Sequence, residues 1–415
     1  MMQIYDTVVV GGGPAGATAA TELARRGRSV LLLDGSRRIK PCGGAIPPQL
    51  IREFDIPDAL LVARVTSARI VSPADRRVDM PIEGGFVGMV DRGPFDEWLR
   101  QRAVAAGATY VTGSFLNAAR SEGGMSIVEY RRGERGDGDV VPVRARSIIG
   151  ADGAHSAVAN LVIASLNPKS SFFAYDEACR FTPGTNRMRY VAAYHEIVRS
   201  PPNRSSSFDG SRCEVYYQGT LSPDFYGWVF PHGATTSVGV GTASRGFPMR
   251  EAVKALRDAA GLASAEVVRR EGAPIPLRPW YRWDDGYNTV LAGDAAGVVA
   301  PASGEGIYYA MVGGRLAAEA VDEFCATADV GVLRQARRRF MRAHGRVFWI
   351  LGMMQRYWYS SDSRRERFVS ICGDRDVQKL TWQAYMNKKL VRAKPIAHTR
   401  IFFKNLMHLG GLVRP

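Results

Sequence analysis

Three segments rich in glycine and aspartate could handle a nucleotide cofactor. In the first, Gly11-Gly12-Gly13-Pro14-Ala15-Gly16, the residues Gly11, Gly13 and Gly16 are spaced G-x-G-x-x-G. The first glycine permits a tight turn, the second lets a pyrophosphate reach the backbone, and the third lets a helix lie close to a strand. The apolar run 7–10 leads into this loop, a helical pattern over 17–26 follows it, and 29–34 is a second strand pattern. The helix N-terminus behind these glycines would offer unpaired N–H groups and a positive dipole end to phosphates. Asp34, closing the second strand, can accept both hydroxyls of an adenosine ribose and disfavours a 2′-phosphate. The resident dinucleotide is therefore FAD or NAD rather than NADP.

Two further segments choose FAD. Ala151-Asp152-Gly153 ends one strand pattern, and Ala292-Gly293-Asp294-Ala295-Ala296-Gly297 ends another at 289–291. Asp152 and Asp294 stand where a carboxylate can hold a ribityl hydroxyl, although an aspartate at a strand end also serves as a helix cap. The helix opened by Ser303-Gly304-Glu305-Gly306-Ile307 can direct its positive end at the pyrimidine edge of a flavin.

The elements that must position these residues read as an α/β fold. Residues 67–82 are short strands around Pro73-Ala74-Asp75, 95–106 is a helix ended by Gly107, and 109–150 holds several strands with a charged turn at 131–139. Residues 172–245 are strand-like and aromatic, with a Pro- and Ser-rich loop at 199–211; a long helix starts near Gly304. The expected architecture is an FAD-binding Rossmann-like domain (1–66, 88–165 and 286–330) with an inserted antiparallel-sheet substrate domain (67–87 and 172–285). A basic, aromatic helical region (331–415) closes the chain.

Composition excludes several classes. The chain has 415 residues, 46% hydrophobic and 23% charged, which is ordinary globular usage. No run is long and apolar enough to span a bilayer, and the first residues read as a strand rather than a leader. Five scattered cysteines suit a reduced compartment on the cytoplasmic side, without a disulfide framework or a metal site. The charge is unusual. Net charge is +15, and residues 331–415, with 19 Lys and Arg against 4 Asp and Glu, carry all of it. Aromatic residues including Phe340, Phe348, Trp349, Tyr357, Trp358, Phe402 and Phe403 are interleaved there. A greasy basic segment on a neutral body suits an anionic membrane surface better than nucleic acid, and peripheral membrane attachment is expected.

On these residues the chain resembles the p-hydroxybenzoate hydroxylase class of FAD proteins, and within it the geranylgeranyl reductase family. Three segments carry the narrower resemblance: Lys40-Pro41-Cys42-Gly43-Gly44, Asp91-Arg92-Gly93-Pro94-Phe95-Asp96, and Pro223-Asp224-Phe225-Tyr226-Gly227-Trp228-Val229-Phe230-Pro231, which matches P-x-x-Y-x-W-x-F-P. It covers roughly residues 3–350 and is most similar to the branch reducing geranylgeranyl-bacteriochlorophyll or geranylgeranyl-chlorophyll to the phytyl form. The resemblance implies tightly held FAD, NADPH as transient hydride donor, and reduction of three isoprenoid double bonds, with geranylgeranyl diphosphate as an alternative substrate. It also implies that Cys42, Gly43, Gly44 and Ala45 lie near the flavin, that Arg92 and a backbone group of Leu116 contact FAD, and that Asp294, Gly304, Gly306 and Ile307 meet it.

Tyr226, Trp228 and Phe230 alternate along a strand and would form an apolar wall for an isoprenoid, or else sheet-packing core. Cys42 and Tyr226 are the candidate catalytic residues; Cys42 could equally be a small buried hydrophobe. An isolated alkene lacks a carbonyl to stabilise a carbanion, so the chemistry needs an acid as well as a hydride. Three rival readings share the fold: an archaeal-type geranylgeranyl lipid reductase, a flavin-dependent aromatic hydroxylase or halogenase, and a non-catalytic flavoprotein carrying isoprenoid or pigment.

Overall fold

The computed structural model describes residues 2–35, 39–133, 137–166, 190–201 and 208–388. Cys179, Phe402, Phe403 and the end of the tail lie outside the described residues. In chain order the elements are β1 (Ile4–Val10), α1 (Pro14–Arg25), β2 (Val30–Asp34), β3 (Ala45–Ile46), α2 (Pro48–Glu53), β4 (Leu61–Val65), β5 (Ser67–Val71), β6 (Arg77–Pro81) and β7 (Val87–Val90). Then come α3 (Arg92–Ala105), β8 (Thr109–Arg120), β9 (Ser126–Arg132), β10 (Val140–Gly150), α4 (Ala157–Leu166), β11 (Tyr190–Arg199), β12 (Arg212–Tyr216), β13 (Gly227–His232) and β14 (Thr235–Thr242). The chain continues through α5 (Met249–Ala259), β15 (Val267–Pro276), β16 (Thr289–Leu291), α6 (Ile307–Thr327), α7 (Gln335–Trp358), α8 (Asp362–Cys372) and α9 (Arg375–Asn387).

One unit comprises Met1–Ile39, Gly93–Tyr190 and Ile275–Arg346. Its parallel strands run β8-β2-β1-β10-β16, and β9 pairs antiparallel with the extensions of β8 and β10. The chain moves from β1 to β2 on one side and returns to β10 on the other. The ends of β1 and β10 therefore form the switch-point crevice where open α/β sheets bind ligands. Val8, Val9, Leu31, Leu32 and Ile149 are fully buried, as strands covered on both faces must be. The first helix begins at Pro14, three residues before the apolar pattern, because proline fits the first helical position.

The second unit comprises Lys40–Arg92, Val191–Pro274 and Val347–Pro415. Its seven-stranded sheet has the order β15-β11-β14-β13-β12-β5-β6, antiparallel at its centre except for the parallel pair β12 and β5. Contacts divide the chain differently from the sequence ranges. Residues 40–66 and 88–92 cluster with this unit because β3, β7 and β4 form a small sheet of their own, in which β7 pairs with both neighbours. Residues 331–346 group with the first unit and 347–388 with the second.

Candidate functional site

The first unit concentrates its glycines where β1, α1, β10 and α6 converge. Gly11 has φ +105°, and a Cβ there would lie 2.3 Å from the Ala151 carbonyl oxygen. At Gly16 a Cβ would lie 1.9 Å from the Gly11 oxygen, and at Gly314 in α6 it would lie 2.1 Å from the Ala15 oxygen. These glycines are demanded by packing. Gly13 differs, since a Cβ there would meet nothing within 4 Å. Backbone packing does not require that glycine; close approach of a ligand from outside would.

The start of α1 supports that reading. Gly13 caps it without a side-chain hydrogen bond, and the first turn holds no acidic residue. The α6 start at Gly306 and Ile307 has the same character. By contrast α8 and α9 are capped by the side chains of Ser361 and Asp374. Two uncapped N-termini therefore leave donors for an anion. The α6 helix starts at Ile307 rather than near Gly304, because Gly304 takes a left-handed φ of +64° in the preceding turn. Asp294 lies in a short 3-10 turn after β16, half-buried, and ended by Gly297 at φ +78°. The open face of Gly13 and the start of α1 without a side-chain cap fit the phosphates of a dinucleotide cofactor.

Asp34 sits against Gly12, where a Cβ would lie 2.8 Å from its Oδ2. Burial raises its carboxyl, opposed by the Gly12 backbone hydrogen bond and the Arg100 charge. Arg100 Nη1 lies 3.4 Å from both Asp34 Oδ2 and the Gly12 carbonyl oxygen, to which it donates. The sequence reading missed Arg100, because its place in the middle of α3 carries no motif signal. At Asp152 the capping alternative accounts for the side chain: Oδ1 accepts from Ser156 Oγ at 2.5 Å, and Oδ2 from the N–H groups of Ala157 and Val158 at 2.7 and 3.2 Å. Burial raises this carboxyl too. Leu116 is exposed at a register irregularity between Phe115 and Asn117, on the antiparallel extension of β8.

In the second unit, three motif segments meet at a residue no motif names. His232, at the end of β13, is 7% exposed, with Nδ1 3.1 Å from Asp91 Oδ1 and Nε2 3.1 Å from the Gly43 carbonyl oxygen. Cys42 Sγ accepts from the Gly44 N–H at 3.4 Å, and the Gly44 oxygen accepts from the Val90 N–H at 2.9 Å. Ala45 continues into β3, paired with Met89. Arg92 is buried at the head of α3.

Rings along β13 form one continuous row. Tyr226 and Trp228 are 6.1 Å apart edge-on, and Trp228 and Phe230 are 6.4 Å apart. Tyr226 and Trp228 are buried, and Phe230 is half-buried against the cluster of Val65, Ile82, Val87 and Met89. Space for the Trp228 indole comes from Gly239 opposite it, whose Cβ would lie 2.3 Å from the ring. Behind the row, Trp228 Nε1 donates to Ser237 Oγ at 3.1 Å, and His195 Nδ1 lies 2.9 Å from that hydroxyl. His195 Nε2 is 3.1 Å from Glu271 Oε2. Burial pushes the Glu271 carboxyl up, but His195 and Arg269 outweigh it and hold the group low.

Residues 6–159 match the family model described as FAD dependent oxidoreductase. A geranylgeranyl diphosphate reductase of Rhodobacter capsulatus is 52% identical over 99% of both chains. The chain belongs to the geranylgeranyl reductase family. A chloroplastic geranylgeranyl diphosphate reductase of Oryza sativa is 34% identical over 98% of this chain and 86% of that protein. A digeranylgeranylglycerophospholipid reductase of Methanopyrus kandleri is more distant, at 29% over 77% of this chain and 80% of that protein. A geranylgeranyl bacteriochlorophyll reductase-like protein of Thermoplasma acidophilum has the same fold, with TM-score 0.77 and 21% identity, covering 96% of this chain and all of that one. As a geranylgeranyl reductase family member, the protein is an FAD-dependent oxidoreductase acting on CH–CH groups.

Proposed function

We propose that the protein uses NADPH to reduce three double bonds of a geranylgeranyl group, borne by (bacterio)chlorophyll or by diphosphate, giving the phytyl form. The observation that carries this reading is the 52% identity over 99% of both chains to a geranylgeranyl diphosphate reductase. The lower identity and coverage of the archaeal lipid reductase make that branch the weaker reading.

FAD, when bound, supplies hydride chemistry. The chain's own residues divide the remaining work. The amides at the head of α1 and the 11–16 loop take phosphate, Asp34 takes ribose hydroxyls, and the backbone of 151–153 with Asp294, Gly306 and Ile307 takes the remainder. Because the Asp152 side chain caps α4, its segment contributes through backbone groups. The second unit carries Cys42, Gly43, Gly44, Ala45 and Arg92, to which the resemblance assigns flavin contacts. Tyr226, Trp228 and Phe230 offer an isoprenoid apolar area without polar demands, and exclude water from a centre where protonation and hydride transfer must be paired. Tyr226 and Cys42 are our candidates for holding the proton.

We also propose peripheral attachment to anionic membrane through α7, on which Trp349 and Met353 are 68% and 50% exposed one turn apart. No described helix is long and apolar enough to cross a membrane.

The deciding experiment is anaerobic incubation of holoprotein with NADPH and geranylgeranyl-bacteriochlorophyll or geranylgeranyl diphosphate, read by mass spectrometry. Stepwise gains of about two mass units, ending near six, are expected, each step joining one hydride and one proton. No gain without oxygen, but about sixteen units with it, would make the protein a hydroxylase.

A further inference from the structure

We propose that His232 is a positioning residue whose imidazole, protonated at both nitrogens, holds the 42–44 loop by donating to the Gly43 carbonyl while anchored on the Asp91 carboxylate. The argument is an inventory of hydrogens. Neutral imidazole has one N–H and one lone pair. Here Nδ1 faces Asp91 Oδ1 and Nε2 faces the Gly43 oxygen, both at 3.1 Å. A peptide carbonyl has no proton to give. The Asp91 side chain is a carboxylate, ionised at neutral pH even at its ordinary value, so that oxygen has none either. A neutral ring would leave a lone pair against an oxygen on one side of a histidine that is itself 7% exposed, whereas the imidazolium satisfies both the Gly43 contact and the contact to the more exposed Asp91 carboxylate.

The surroundings are shaped to this ring. Gly44 has φ +69°, and a Cβ there would lie 2.4 Å from His232 Cε1. A Cβ at Gly43 would lie 3.0 Å from the Phe230 ring. Both glycines thus admit the β13 side chains, and the Val90 N–H holds the far end of the loop through the Gly44 oxygen. Cys42 Sγ, which accepts the Gly44 N–H, takes its position from the same loop. One cation joins the Cys42 segment, the Asp91-Arg92 segment and the aromatic strand. Its consequence for catalysis rests on the reading of Cys42 to Ala45 as part of the reductase site.

The test uses full-chain holoprotein with ¹⁵N-labelled histidine, the His232 signals being those lost in His232→Gln. At neutral pH both ring nitrogens should resonate as protonated nitrogens; one pyridine-type nitrogen in the wild type would overturn the proposal. Amide exchange at 42–45 should quicken at least tenfold in His232→Gln and Asp91→Asn, with Asp91→Glu restoring protection. Turnover of geranylgeranyl diphosphate should fall at least tenfold in the first two, with KM within threefold. Exchange and turnover within twofold of wild type in both would also overturn it. If His232→Gln does not fold, Asp91→Asn and the wild-type spectrum still decide. If no variant or wild type reduces any geranylgeranyl substrate, the functional reading fails, while the spectrum and exchange still judge the ring.

Discussion

Glycines in one loop separate packing from ligand contact. Gly16 is locked against the Gly11 carbonyl, so alanine there would disturb the turn whether or not anything binds. Gly13 opens on space, and its helix N-terminus is uncapped. Gly13→Ala should therefore leave the circular dichroism spectrum unchanged while lowering the flavin-to-protein ratio of purified protein by about tenfold or more. Retention of stoichiometric flavin in a folded Gly13→Ala protein would show that the loop does not approach a phosphate there. The two aspartates make the complementary point. Asp34 is aimed back at the loop, while Asp152 is spent on the start of α4; sequence alone left both possibilities open for Asp152, because a strand-end aspartate has the same pattern in either role.

At the scale of elements, α8 does more than complete a basic tail. Arg365, with 2% side-chain exposure, donates through Nη2 to the carbonyls of Ser222, Pro223 and Tyr359, and through Nη1 to Asp362 at 2.6 Å. Asp362 in turn accepts the Gly219 N–H at 2.9 Å. Together they clasp the segment that leads into Tyr226. Arg365→Met would leave three carbonyls without this donor and should cost about 3 kcal/mol, lowering the melting temperature by about 3 °C. A shift below 1 °C in differential scanning calorimetry would show that the clasp contributes little. Local patterns made the nucleotide-binding half legible: an apolar run, glycine spacing and an acid at a strand end lie within about thirty residues. The Arg365 clasp, the His232 junction and the parallel pairing of β12 with β5 were not legible. Each depends on segments more than a hundred residues apart, and nothing in the local spacing of a lone arginine or histidine announces its partners.

Across the whole molecule, charge is segregated: residues 1–330 hold 36 basic and 36 acidic side chains, and the excess follows them. Part of that excess is structural, since Arg365 is buried. Deleting residues 331–415 would consequently remove packed helices along with any membrane contact, and loss of binding would say nothing about the surface. The discriminating change is confined to exposed side chains. Trp349 and Met353 lie four residues apart on α7, with exposed Arg356 three residues further on, so they present one apolar step flanked by positive charge. If this step enters the headgroup region, each side chain is worth roughly 1.5–3 kcal/mol when fully buried, and partial insertion of the pair about half their sum. Trp349→Ser with Met353→Ser should then reduce co-sedimentation with phosphatidylglycerol vesicles by about tenfold, while leaving turnover of detergent-dispersed substrate unchanged. Binding that survives both substitutions would remove α7 as the contact. A wild-type protein that fails to sediment with the vesicles at low salt, where anionic attraction is strongest, would end the peripheral-membrane proposal altogether.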